Sequence, residues 1–223
     1  MEDKYKLYNG DCLSVMEEMI EQGVKVDVVI TDPPYGMDFK SNRRKNKYDK
    51  IKNDDTLDFL DEYFNKCNEI MEDNSHIYCF CSWHHIDVFK KSFENNFKLK
   101  NIIVWEKNVH GTGDLKGSFA PKHEFILFGH KGRKLLNGKR IPDIIQAKKT
   151  GNKLHPTQKP VDLIELFIEK STNENDVVFD EFSGSGSTGV ACLNKNRKFI
   201  GVELDEGYYN VSKERIESII END

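Results

Sequence analysis

Proline is scarce in this chain, with six in 223 residues, yet two of the six stand side by side at Pro33 and Pro34. Cysteine is scarce too: five residues, an odd number, with no Cys-x-x-Cys pair. That argues against a disulfide framework and a cysteine zinc site, and fits a reducing, cytoplasmic setting. Long apolar runs are missing. Stretches such as Val28-Val29-Ile30 fall far short of the ~20 residues that a spanning helix needs. The residues behind Met1 are charged, so no secretory leader is expected. His84 and His85 adjoin, but no third ligand stands at metal spacing, so no metal is expected. Repeats and low-complexity tracts are absent as well.

What is present suffices for a core. Hydrophobic residues make up 37% and aromatics 11%, spread along the chain, which excludes global disorder despite 32% charged residues. The net charge of −5 is unevenly distributed. Residues 40–52 carry +6 and residues 131–153 carry +7, which leaves −18 elsewhere. Counterion release depends on local phosphate contacts, so two basic segments on an acidic body are able to bind nucleic acid. Solvated loops are the plainer reading of the same charges.

Short β runs alternate with helical periodicity, the pattern of an α/β sheet with helices on its faces. The expected strands are 5–8, 26–31, 76–81, 99–105, 123–129, 176–180 and 198–203. The expected helices are 12–22, 57–72, 85–95, 160–172, 188–195 and 206–220. Residues 36–56, 107–122 and 131–154 read as loops. The whole chain, 1–223, reads as one domain: a target-base half over 1–130 with the proline pair, a basic loop over 131–154 and a nucleoside-binding half over 155–223.

Two motifs carry chemistry. In VVFDEFSGSGSTG, a strand ends at Asp180 and Gly184, Gly186 and Gly189 form GxGxxG at a helix start. A second strand then ends at Glu203. Glycines permit close backbone approach to a ligand, and an acid at that distance can accept from ribose hydroxyls. A dinucleotide or S-adenosylmethionine satisfies this unit equally well. In VDVVITDPPYG, a strand runs into Asp32-Pro33-Pro34-Tyr35. The prolines fix two φ angles and remove two donors. A carboxylate, a free carbonyl and an aromatic ring are thereby presented together, which suits a planar group bearing an NH₂.

Together, DPPY followed by FSGSGSTG resembles the beta group of the S-adenosylmethionine-dependent DNA amino-methyltransferases. Tyr8-Asn9-Gly10-Asp11-Cys12, His155-Pro156-Thr157-Gln158-Lys159-Pro160 and Phe199-Ile200-Gly201-Val202-Glu203-Leu204-Asp205 agree with that family in the same order. The resemblance implies a Rossmann-like fold, with a mostly parallel seven-stranded sheet and helices on both faces. It implies S-adenosylmethionine as cofactor, double-stranded DNA as partner and a role in restriction-modification; it admits a homodimer. The catalytic corner would be Asp32, Pro33, Pro34 and Tyr35. The cofactor would meet Asp11, Asp32, Thr157, Lys159, Asp180, Phe182, Ser183, Gly184, Ser185, Gly186 and Glu203. Thr157 and Lys159 would face its carboxylate. Arg43, Arg44, Lys45, Lys47, Arg133, Lys134, Lys139 and Arg140 would track DNA phosphates.

Two departures stand out. Asp180-Glu181-Phe182 replaces the family's Asp-Pro-Phe, which puts a carboxylate near the cofactor. Residues 130–154 are too few for a separate recognition domain. The expected target is adenine N6, since Asp-Pro-Pro-Tyr accompanies adenine more often than cytosine in the family. Cytosine N4 is the alternative. A nicotinamide-dependent oxidoreductase would use the glycine loop but leave DPPY unexplained. A catalytically silent DNA-binding module would follow if Glu181 spoiled the cofactor site.

Overall fold

Alternation along one strand shows how the sheet is built. In β3 (Met71–Cys81), Ile77, Cys79 and Cys81 enter one apolar core while Tyr78 and Phe80 enter another. In β2 (Val26–Thr31), Val29 sides with the first core and Val28 and Ile30 with the second. Strands buried on both faces need helices on both. One face is covered by α1 (Cys12–Glu21), α2 (Leu60–Ile70) and α3 (Ile86–Glu94). The other is covered by α4 (Val161–Ser171), α5 (Ser187–Asn194) and α6 (Glu206–Ile220). The computed structural model describes residues 4–36, 57–111, 114–151, 154 and 157–221.

The remaining strands are β1 (Tyr5–Asn9), β4 (Lys98–Lys107), β5 (His123–Lys131), β6 (Ile144–Ala147), β7 (Val177–Asp180) and β8 (Lys198–Glu203). Their order is β1-β8-β7-β2-β3-β5-β4-β6. Only β5 runs antiparallel to its neighbours, so the sheet is mostly parallel, as a Rossmann-like fold requires. The described residues hold eight strands, not seven. The addition is β6, a four-residue edge strand beside β4, inside the stretch read as a basic loop. Ile144 is 61% exposed, which is why the strand carries so little apolar signal. Among the described residues, no helix is long and apolar enough to cross a membrane.

The topology fixes the position of a site. From β2 the chain moves through α2 to β3 on one side; from β7 it moves through α5 to β8 on the other. β2 and β7 are neighbours, so the strand order reverses between them. Open α/β sheets bind ligands in the crevice outside the carboxyl ends at such a point.

The opposite edge holds a buried histidine. His76 of β3 bonds Ser171 Oγ at 2.8 Å and the Lys134 carbonyl at 3.1 Å, and its ring lies 4.5 Å from that of His130. Burial pushes His76 down from 6.5 to about 4. The folded state therefore prefers the neutral ring, while the unfolded chain takes up a proton below 6.5. Stability is fully present above 6.5 and is lost as pH falls toward 4. The urea midpoint should drop between pH 7 and pH 5, and His76→Gln should flatten that drop. Equal slopes for the two proteins would refute the assignment.

Candidate active site

Asp32 follows the last residue of β2 and sits at the switch point. Its Oδ2 accepts from Lys159 Nζ at 2.5 Å, and its Oδ1 accepts from the Tyr35 hydroxyl at 2.5 Å. Burial pushes the Asp32 carboxyl up, and the Lys159 ammonium pulls it back down. Lys159 is itself enclosed, its side chain 8% exposed. Its ammonium lies 5.0 Å from the Phe80 ring centre and 3.4 Å from Glu124 Oε2. Burial would lower the Lys159 ammonium, but Asp32 and Glu124 outweigh it and hold it charged. The Pro33 carbonyl has no hydrogen-bond partner among the described residues. Tyr35 is half-buried and meets Phe89 edge-on at 6.3 Å, which fixes its ring beside Asp32.

Side-chain alternation continues past the end of β7. Asp180 turns toward α5: its Oδ2 accepts from the Thr188 hydroxyl at 2.6 Å and its Oδ1 from the Phe182 N–H at 3.1 Å. It is 5% exposed, so it braces the turn instead of lining a pocket. Glu181 turns toward α2, where its Oε1 accepts from the Tyr63 hydroxyl and from Cys67 Sγ. Burial pushes Asp180 up to about 8 and Glu181 to about 7. The carboxylate that replaces the family's proline is therefore held within the α2 packing.

The glycine loop departs from expectation at two side chains. Ser183 Oγ meets Ser212 Oγ of α6 at 3.3 Å, and the Ser185 carbonyl accepts from Arg215 of the same helix at 2.5 Å. The Ser183 and Ser185 hydroxyls and the Ser185 carbonyl thus anchor the loop to α6. Phe182 packs on Tyr63 with ring centres 5.6 Å apart. Gly184 and Gly186 have φ of 52° and 76°, in the left-handed region that favours glycine. A Cβ on Gly186 would stand 2.5 Å from Ser212 Oγ and 3.1 Å from its Cα. Gly186→Ala should therefore cost about 1–3 kcal/mol, read as a lower thermal midpoint. An unchanged midpoint would show that α6 yields freely.

Glu203 closes the crevice at the end of β8. Its Oε2 accepts from the Gly184 N–H and its Oε1 from the Asp205 N–H, both at 2.8 Å. Each oxygen keeps a lone pair for a diol. Asp11 caps α1 through Ser14 N at 3.0 Å and is exposed at the same edge. Thr157 is half-buried, two residues before Lys159.

These groups suit a cationic nucleoside. Asp32 and Glu203 present carboxylates at this edge, which complement a cation and a diol. Among the described residues, four buried side-chain polar atoms lack a hydrogen bond. Three of them, Glu124 Oε2, Glu181 Oε2 and Ser187 Oγ, belong to residues at this edge. Buried polar groups in native proteins are nearly always satisfied; Glu124 Oε2 has the Lys159 ammonium 3.4 Å away, so the atoms at this edge that still want a partner are Glu181 Oε2 and Ser187 Oγ. The residues present therefore fit S-adenosylmethionine, with Glu203 at the ribose and the loop backbone along the chain.

The basic residues divide. Arg43, Arg44, Lys45 and Lys47 lie outside the described residues. Arg133, Lys134, Lys139 and Arg140 are not brought to the crevice. β5 runs antiparallel to β3 and carries the chain from the crevice edge to the opposite one, where the Arg133 N–H bonds Asn74. The chain returns along β6, which puts Lys148 and Lys149 at the crevice edge, beside Asn108 after β4. Glu124, Lys107, Tyr63, Thr188 and Arg215 were not expected at the site. Glu124 had one signal: a charge opening an otherwise apolar strand.

A family model described as DNA methylase matches residues 26–214. The Type II methyltransferase M2.MboI of Moraxella bovis is 32% identical over 244 aligned residues, covering 96% of this chain and 88% of that protein. The crystal structure of an M1.HpyAVI–SAM complex superposes with a TM-score of 0.77 at 29% identity, covering 95% of this chain and 98% of that one. The PvuII DNA methyltransferase, titled cytosine-N4-specific, shares the fold with a TM-score of 0.75 at 19% identity, covering 98% and 92%.

Proposed function

This chain belongs to the N6/N4 DNA methylase family, and from that membership we propose that it methylates the exocyclic N6 of adenine in duplex DNA. The family's methyl donor is S-adenosylmethionine, which supplies an electrophilic methyl group on a sulfonium sulfur. The relatives named Type II methyltransferases place the family on the modification side of restriction-modification. No covalent enzyme intermediate is required, and the five cysteines, four of them buried, are left to packing.

The chemistry is positioning and electrostatics. The adenine amine is a poor nucleophile because its lone pair is conjugated into the ring. Asp32 accepts one N–H and the Pro33 carbonyl the other, which draws the nitrogen toward tetrahedral geometry. Fixed orientation of this kind is worth up to about 7–11 kcal/mol. As the N–C bond formed, the methyl–sulfur bond would break and the donor would leave as a neutral thioether; the methylated amine, then cationic, would pass a proton to the Asp32 carboxylate that already accepts its N–H. Tyr35 stacks on the base and offsets part of the few kcal/mol, roughly, that flipping costs. Lys148 and Lys149, with the basic run 40–52, supply phosphate contacts.

The observation that carries this reading is Asp32 itself: a carboxylate paired with a buried lysine, at the switch point, before a carbonyl with no hydrogen-bond partner among the described residues. Sequencing the methylated bases in DNA from cells that express the chain tests it. N6-methyladenine at a short site is expected. N4-methylcytosine would move the target to cytosine, and unmodified DNA would end the proposal.

A further inference from the structure

Glu124 is the second residue of β5, beside the end of β4 and close to the catalytic corner. Its Oε1 pairs with Lys107 Nζ. Its Oε2 is buried, has no hydrogen bond, and lies 3.4 Å from Lys159 Nζ. The same ammonium stands 2.5 Å from Asp32 Oδ2. One cation thus sits between two carboxylates, bonded to the first and just out of hydrogen-bond contact with the second. Asp32 has a donor on each oxygen already, Lys159 on Oδ2 and Tyr35 on Oδ1. Each of those oxygens keeps one lone pair, so an incoming amine shares an oxygen with a donor already in place and competes with it for the charge. A normal N–H···O separation is about 2.9 Å, so a movement of well under ~1 Å would hand the ammonium to Glu124.

We propose that Glu124 is a positioning residue that draws the Lys159 ammonium away from Asp32 as the target amine docks, freeing Oδ2 to accept the N–H. The exchange keeps two carboxylates and two ammonium groups together throughout, so no unpaired charge is buried along the way. The inference rests on the reading of Asp32 as the group that grips the amine.

The charged and titratable groups facing Asp32 are Tyr35 from its own turn, Lys159 ahead of α4, Glu124 of β5, Cys79 and Cys81 of β3, and Asp180 at the end of β7. Lys107 of β4 acts through Glu124. Two variants with opposite signs test the exchange by labelled-methyl kinetics on amplified, hence unmethylated, bacterial DNA.

In Glu124→Gln the second anion is gone and Lys159 stays on Asp32. The kcat at the pH plateau, where Asp32 is fully ionised, should fall about 10- to 100-fold, with little change in donor affinity by calorimetry. The acidic limb of kcat/KM should move to lower pH, because Asp32 loses a like charge. A fixed charge effect would move the limb but leave the plateau alone, so a wild-type plateau overturns the proposal. Should Gln at 124 prevent folding, Lys107→Met decides the matter. Glu124 then pulls harder on Lys159, so the plateau kcat should rise above the wild-type value as the acidic limb moves to higher pH; a plateau at or below wild type overturns the proposal. Transfer retained by Asp32→Ala would instead remove the underlying reading.

Discussion

Replacing Asp32 with alanine is expected to lower methyl transfer by about 10³-fold or more, in the range seen when a preorganised transition-state hydrogen bond is removed. That corresponds to about 4 kcal/mol of barrier. The fold should survive, and the reason lies in the neighbours. Lys159 would lose its 2.5 Å partner but keep Glu124 at 3.4 Å, so its buried ammonium is not orphaned. Thermal midpoint and donor binding should therefore change far less than the rate. Asp32→Asn separates two roles. Its amide oxygen still accepts from the amine, but it no longer attracts Lys159 and takes up no proton. An activity between alanine and wild type is expected. Alanine and asparagine variants that both match wild type would remove Asp32 from the chemistry.

Lys159→Met should have the largest effect on stability. The lysine side chain is 8% exposed and serves Asp32 and Glu124 together. Its removal leaves Asp32 buried without a cation, whereas Glu124 keeps Lys107. Breaking a buried pair from one side costs about 3–5 kcal/mol. At roughly 2–4 °C per kcal/mol for a chain of this size, the midpoint should fall by several degrees or more. The loss should ease at low pH, where Asp32 becomes protonated. The linkage sign follows from the missing cation: with Lys159 gone, burial and the Glu124 charge outweigh the Tyr35 hydrogen bond and raise Asp32 further. The folded variant then binds a proton more readily than the unfolded chain, so its deficit is fully present above the folded value and shrinks as pH falls through it. A deficit independent of pH would point to lost packing against Phe80 instead.

The legible parts of the fold were those with a period. Val28-Val29-Ile30 and Ile77 to Cys81 alternate between two cores, so β2 and β3 could be expected from the sequence. Leu163, Ile164, Phe167 and Ile168 share one face, and α4 follows from them. β6 was not legible, because an edge strand of four residues with one half-buried isoleucine has almost no pattern. The direction of β5 was equally hidden, and with it the placement of Arg133, Lys134, Lys139 and Arg140 away from the crevice.

The candidate crevice was legible where motifs carried it, in that Asp32, Gly184, Gly186 and Glu203 come together at one edge of the sheet. Its electrostatics were not. Lys159 meets Asp32 across 127 positions of sequence, and Tyr63 meets Glu181 across 118. Such pairs arise from the sheet order, which no local spacing encodes. Asp180, Ser183 and Ser185 illustrate the same limit. Each lies within the glycine-loop motif, yet their side chains serve Thr188, Ser212 and Arg215.

The most direct measurement is to incubate the purified chain with isotope-labelled S-adenosylmethionine and unmethylated duplex DNA, digest the DNA to nucleosides and weigh the products. The account predicts label in N6-methyldeoxyadenosine with the wild-type chain and none with Asp32→Ala. Label confined to C5 of cytosine, or no labelled nucleoside from a folded, donor-binding protein, would contradict it.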